Sequence, residues 1–160
     1  MKTVKDILGS KGGEVCWVGS KASVFDAISL MKDKDIGALL VKDAERQVVG
    51  IFSERDYARK VALEGRSSKE LRVEEVMTPS DRMIVVRPTN KVEECMAIMT
   101  ENHIRHLPVV DGHAVIGIIS SRDLIKAYLE GSASHIENLQ ELSQTVFTQS
   151  FDDDIAGHKG

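Results

Sequence analysis

GIFSERD, Gly50 to Asp56, returns 67 residues later as GIISSRD, Gly117 to Asp123. Each copy is a glycine, two apolar residues, a serine, one variable residue, an arginine and an aspartate. Serine followed three residues on by an acid matches the capping box, in which the serine caps a helix and the acid reaches back to the serine amide. The apolar residues before the serine read as the end of a strand. The string therefore predicts a strand running straight into a capped helix, built twice.

Outward from the string the duplication continues. Ser23 to Val41 overlays Lys91 to Val109 at a spacing of 68, with Val24 on Val92, Ala27 on Cys95, Ile28 on Met96, Met31 on Met99 and Ile36 on Ile104. One residue is lost where DAERQ faces DGHA, and the spacing becomes 67. Val24, Ala27, Ile28 and Met31 fall at i, i+3, i+4 and i+7, the mark of a one-faced helix. GALLV and HLPVV suit buried strands, and QVVGIF and AVIGII suit the returning strands of hairpins. With VCWV and MIVV as short leading strands, each repeat reads β-α-β-β-α. A helical crossover between the first two strands makes the sheet at least partly parallel. The fold class is α/β: two interleaved β-α-β-β-α repeats with pseudo-twofold symmetry and helical extensions at both ends. The chain divides into an N-terminal helix and joint (1–14), repeat one (15–65), a linker (66–83), repeat two (84–130), and a C-terminal helix with an acidic tail (131–160).

Composition narrows the function. At 160 residues the chain buries enough surface to need no staple. A net charge of −4 and 4% aromatic residues argue against a nucleic-acid partner, which wants a basic face or a base-stacking platform. Cys16 and Cys95 form no CxxC pair and are expected to be buried free thiols. MKTVKDILGS has no signal-peptide core and no apolar run is long enough for a membrane span, so a cytoplasmic location is expected.

The repeated string has two chemical readings. As a cap it is fold grammar, since nearly every helix start needs such a residue. As a site it offers unpaired N–H groups at a helix N-terminus, an arginine able to grip an anion with a bidentate fork, and a carboxylate able to accept both hydroxyls of a ribose. Glycine ahead of it would clear side-chain bulk from that edge.

IGALLVKD, VVGIFSERD, VEEVMTP, IRHLPVVD and VIGIISSRD, in this order and in duplicate, resemble a tandem pair of CBS domains, a Bateman module of the stand-alone type, over Val15 to Glu130. The resemblance implies an aspartate on the ribose, a serine near the sugar-phosphate and an apolar slot for adenine. By position these are Ser53 and Asp56, then Ser120 and Asp123, with Arg55 and Arg122 beside them. The slots would be lined by Val18, Ile36, Gly37 and Ala38 in one half and by Val86, Ile104, Arg105 and His106 in the other. The implied ligand is an adenine nucleotide such as AMP, ATP or NAD, and the implied role is regulatory rather than enzymatic, with occupancy passed to an unidentified effector protein or to the chain's own dimer. A structural dimerisation module with vestigial sites and a weak nucleotide-processing enzyme are the competing readings.

The halves differ: Gly37, Ala38 and Glu54 in the first stand against Arg105, His106 and Ser121 in the second. The second is therefore expected to attract phosphate more strongly, with crossing of side chains between the half-sites left open and with Arg55, Arg59 and Lys60 charging the first half as well. His103, His106 and His113 lack the companions of a tetrahedral metal set, so no metal is expected. GSKGGE (Gly9 to Glu14) lacks phosphate-loop spacing and reads as a flexible joint. Tyr57 and Tyr128 read as packing residues. Ser134 to Phe147 reads as a separate short amphipathic helix, followed by a disordered acidic end from Asp152. A homodimer is expected from the apolar surface that the repeats leave over.

Overall fold

A computed structural model describes residues 1–12 and 14–156, the side chains of 139 and 141–156 excepted. Helix α1 (Val4–Lys11) leads into β1 (Trp17–Gly19), α2 (Val24–Lys34), β2 (Ala38–Lys42), β3 (Val48–Ser53) and α3 (Glu54–Tyr57). After a two-residue strand β4 (Thr78–Pro79), the second repeat supplies α4 (Val92–Asn102), β5 (His106–Asp111), β6 (Ala114–Ser120) and α5 (Ser121–Ala156). The first sheet has the order β1-β2-β3-β4, parallel between β1 and β2 and antiparallel elsewhere. Among the described residues no helix is long and apolar enough to cross a membrane.

The repeats match down to local detail. Ser23 caps α2 by accepting the Asp26 amide at 3.0 Å, and α4 starts with Glu94 accepting the Lys91 amide at 3.0 Å. Both helices end on a left-handed residue, Asp35 (φ 51°) and His103 (φ 53°), a conformation that releases the chain from a helix. Both hairpins carry a bulge at the same step, between Val41 and Lys42 and between Val109 and Val110. The core likewise comes in two matched halves. Val18, Val24, Ala27, Met31, Leu39 and Val41 are buried in the first, and Val86, Val92, Cys95, Met99, Leu107 and Val109 in the second.

One expected strand contracts. MIVV forms a single parallel bridge, Val86 with Val109, where its counterpart β1 forms a three-residue ladder. The cause is Pro108. In the first repeat the Leu40 amide donates to the Cys16 carbonyl at 3.2 Å. Leu40 corresponds to Pro108, which has no N–H to donate, so the ladder loses that bond.

The N-terminal segment and the stretch between the repeats interlock with them. The Val92 amide donates to Lys2 and the Val4 amide to Asn90, at 3.1 and 2.9 Å. In the same pattern the Val24 amide donates to Leu71 and the Val73 amide to Ala22, both at 2.9 Å. Val4 and Ile7 are thereby buried in the core of the second repeat, and Leu71, Val73 and Val76, from the stretch read as linker, in the core of the first. The chain thus crosses over at its N-terminus: α1 completes the second core, and the stretch after repeat one completes the first.

Three expectations change. The tail does not break into a second helix: α5 is continuous from Ser121 to Ala156, and it includes the start of the acidic end read as disordered. No proline interrupts the run from Ser121, so nothing stops the helix. Of the apolar stripe read there, Ile136 is exposed, while the side chains of Leu139, Leu142 and Val146 lie outside the described residues. Tyr57 packs against the first core as expected, but Tyr128 is exposed along with Ile125 and Leu129 on α5.

Candidate functional site: two clefts between the repeats

Two clefts open on either side of the pseudo-twofold axis, with volumes of about 670 and 760 Å³. The first holds Ser120, Arg122 and Asp123; the second holds Ser53, Arg55 and Asp56. Each string therefore opens into a cavity of ligand size, and it is also a cap. The Ser53 amide donates to Asp56 Oδ2 at 3.0 Å and the Ser120 amide to Asp123 Oδ2 at 2.8 Å. In return the Asp56 and Asp123 amides donate to the serine hydroxyls at 3.3 and 3.2 Å.

The apolar walls cross between repeats. Ile36, Gly37 and Ala38 face the Asp123 cleft, and Ile104, Arg105 and His106 face the Asp56 cleft. This reverses the pairing expected within each half. Each repeat's strand entrance abuts the other repeat at the axis, so it serves the neighbour's helix start. Val18 and Val86 line neither cleft; strand alternation turns both side chains into the cores, where they are 8% and 3% exposed. The cleft walls are instead Val15 and Cys16 on one side and Met83 and Ile84 on the other. Those pairs stand 68 residues apart, a signal the sequence carried. Cys16 is half-buried, packed against the first core and lining the cleft, whereas Cys95 is fully buried and its thiol is pushed up to about 11, chiefly by burial.

Gly50 serves packing rather than a ligand edge, whereas Gly117 lines the Asp123 cleft and also packs against α1. A Cβ on Gly50 would sit 2.5 Å from the Thr78 carbonyl and 2.7 Å from Met77 Sδ, and one on Gly117 would sit 2.7 Å from Leu8 Cδ2. Gly50 thereby admits the stretch between the repeats, and Gly117 admits α1.

The carboxylates differ in what occupies them. Asp56 receives the Ser53 amide and hydroxyl on Oδ2 and the Lys60 ammonium on Oδ1 at 3.0 Å, so both oxygens are engaged. Lys60 also donates to the Val76 carbonyl at 3.0 Å, from a π-helical stretch over Ala58–Ala62 that continues α3. Asp123 receives the Ser120 amide and the Lys11 ammonium (2.9 Å), both on Oδ2, leaving Oδ1 free among the described residues. Burial pushes the Asp123 pKa upward, but the Ser120 amide and Lys11 outweigh it and hold the carboxyl below its ordinary value.

Charge is distributed against expectation. The Asp56 cleft is lined by five basic side chains, Arg55, Arg59, Lys60, Arg82 and Arg105, against Glu54 and Asp56. The Asp123 cleft has four, Lys11, Lys32, Arg105 and Arg122, against Glu14, Asp35, Glu54 and Asp123. The half expected to be the more positive is the balanced one: Arg105 and His106 line both clefts and favour neither, while Arg59, Lys60 and Arg82 line the Asp56 cleft alone and Glu14 and Asp35 the Asp123 cleft alone. Arg55 also donates to the His103 carbonyl at the end of α4, tying the repeats together. His106 lies over Gly37, whose Cβ would stand 3.0 Å from its Cε1. Burial first, then Lys11, holds the His106 pKa below its ordinary value. Among the described residues no group of three histidine, cysteine or carboxylate side chains is placed to hold a metal.

Two β-α-β-β-α repeats, interlocked at their ends and enclosing a cleft on each side of their axis, define a paired-repeat α/β module. The CBS domain is matched over residues 4–63 and 73–130, and the chain belongs to the CBS-domain family. The CBS domain-containing protein CBSX3, mitochondrial, of Arabidopsis thaliana is 40% identical over 150 residues, which are 90% of this chain and 71% of that protein. A solved CBS-domain protein of Burkholderia ambifaria MC40-6 is 48% identical, covering 81% of this chain and 95% of its own with a TM-score of 0.75. The CBS domain pair of protein MJ0100, solved in complex with 5′-methylthioadenosine and S-adenosyl-L-methionine, is 26% identical with a TM-score of 0.69, covering 82% of this chain and 98% of its own.

Proposed function

We propose that this chain is a regulatory module that binds adenosine-containing ligands in its two inter-repeat clefts and signals their occupancy through the closure of one repeat on the other. The observation that carries this reading is the crossing of the walls: each cleft joins the Ser-x-x-Asp helix start of one repeat to the strand entrance of the other. A ligand filling either cleft touches both repeats, so it favours one arrangement of them through differential affinity. The adenosyl ligands of the MJ0100 pair support the choice of ligand class.

The clefts divide the ligands between them. With five basic side chains against two acids, the Asp56 cleft suits a phosphate-bearing nucleotide such as AMP, ATP or NAD. The Asp123 cleft has balanced charge, an apolar lining that includes Val15, Ile36 and Ile116, and a free carboxylate oxygen for a ribose hydroxyl. It suits an adenosine with an uncharged tail. The role is binding rather than turnover. The module pairs with a second copy through the exposed face of α5 at Ile125, Tyr128 and Leu129, and light scattering of a monomer mass at micromolar concentration would contradict that pairing.

A dimerisation module with vestigial sites is the second reading, favoured by the capture of both Asp56 oxygens by the cap and Lys60. Calorimetry with AMP and with 5′-methylthioadenosine separates the two. Saturable binding of either supports the sensor; absence of heat and of any melting shift with both leaves the scaffold.

A further inference from the structure

The pseudo-twofold axis is broken at its centre. Gly37 and Arg105 are counterparts across it, and so are Glu54 and Ser121. The Glu54 amide donates to the Gly37 carbonyl at 3.0 Å and the Ser121 amide to the Arg105 carbonyl at 2.9 Å, so the backbone is symmetric while the side chains are not. Four residues, Gly37, Glu54, Arg105 and His106, line both clefts. A symmetric centre would present two guanidinium groups or none; this one presents a single guanidinium and a single carboxylate. Resting on the ligand class proposed above, we propose that the two clefts bind phosphate-bearing nucleotides anticooperatively, because one guanidinium, that of Arg105, is shared between them.

The first nucleotide to bind draws Arg105 toward its phosphate in a charge-assisted fork. With the first nucleotide in the Asp56 cleft, the Asp123 cleft is left with Lys11, Lys32 and Arg122 against Glu14, Asp35, Glu54 and Asp123, and a net negative wall opposes an entering phosphate. His106 supplies no replacement: burial and the Lys11 and Arg105 cations favour its neutral form. A nucleoside without phosphate makes no claim on Arg105, so two such ligands bind without this penalty. The coupling is reciprocal, as any equilibrium coupling between two sites must be.

The test compares AMP titrations of the full-length protein with those of Asp56→Asn and Asp123→Asn, each of which isolates one cleft. For independent clefts the wild-type isotherm is the sum of the two single-cleft isotherms. The expected result is a second AMP step in wild type weaker by about fivefold or more than the weaker single-cleft affinity, the lower end of ordinary allosteric couplings. Adenosine should give the simple sum. Arg105→Ala should restore additivity for AMP at lower overall affinity, and Arg105→Lys should keep the coupling. AMP isotherms that sum in wild type, or coupling that persists in Arg105→Ala, overturn the inference while leaving the ligand class standing. Failure of both AMP and adenosine to bind at all overturns the ligand class itself.

Discussion

The two repeats share a backbone plan and differ in what their helix starts are asked to do. In the first, α3 gives way after one turn to a π-helical stretch that delivers Lys60 onto Asp56 Oδ1. In the second, α5 runs on unbroken, and Asp123 is met from outside its own helix by Lys11 of α1. Both acids carry a lysine partner, one supplied locally and the other across more than a hundred residues. Duplication thus preserves the cap and the cleft, while the charges around them diverge. The small pair Gly37–Ala38 facing the large pair Arg105–His106 is the same lesson at the axis: each half accommodates the other's departure from symmetry.

The largest expected effect concerns the interlocked ends. Ile7 is 5% exposed in the second core, and Ile7→Ala should destabilise the protein by about 2–5 kcal/mol in urea denaturation. Its counterpart substitution, Val76→Ala in the first core, should cost less because fewer methyl groups are removed. A loss near zero for Ile7→Ala would show that α1 is no part of that core.

Next come the paired glycines. Gly50→Ala should cost about 1–3 kcal/mol through overpacking, since the new methyl meets the fixed Thr78 carbonyl. Gly117→Ala should cost less, because it meets only the end of the Leu8 side chain, which can turn aside. Melting temperatures that fall equally would erase this difference between the halves.

A smaller effect distinguishes the halves by pH. The depressed His106 pKa means that the unfolded chain takes up this proton before the folded one as pH falls below the ordinary value of 6.5. This contribution to stability is therefore complete above that value and shrinks on acidification toward the folded pKa. The fall in melting temperature from pH 7.5 to 5.5 should be shallower in His106→Gln, where the first repeat already has the untitratable Ala38. An unchanged slope would contradict it. The smallest effect is a labelling stoichiometry. Cys16, half-buried at the Asp123 cleft, should alkylate in the native protein and be protected by saturating 5′-methylthioadenosine. Cys95, buried with its thiol held at about 11, should not react before unfolding.

How much of this was legible depended on whether the deciding partner lay in the same repeat. Helix faces such as Val24, Ala27 and Met31 were readable because their partners recur at fixed local spacing. The contraction of MIVV turned on Pro108, a residue of another strand whose missing N–H matters only once the register is known. Val4 and Ile7 mirror Val73 and Val76 at a spacing of 69, yet the segment is too short for its periodicity to stand out. The cleft acids were legible from the doubled capping string. Their walls were misassigned because self-alignment places residues within a repeat, whereas the clefts are formed between repeats. The charge balance reversed for a related reason: Arg105 counts for both sides, which leaves Arg59, Lys60 and Arg82 on one side and Glu14 and Asp35 on the other to decide it.

The division of ligands between the clefts is tested most directly by melting-temperature shifts in wild type, Asp56→Asn and Asp123→Asn, each with AMP and with 5′-methylthioadenosine. Asparagine retains a local cap, so the unliganded variants should lose about 1 kcal/mol or less. At a hundredfold excess over its dissociation constant a ligand should stabilise wild type by about 2.7 kcal/mol. The AMP shift should fall most in Asp56→Asn, which leaves only the weaker AMP site in the Asp123 cleft, and least in Asp123→Asn, and the 5′-methylthioadenosine shift should show the opposite order. Loss of both shifts in the same variant, or wild-type melting that neither ligand moves, would contradict the account.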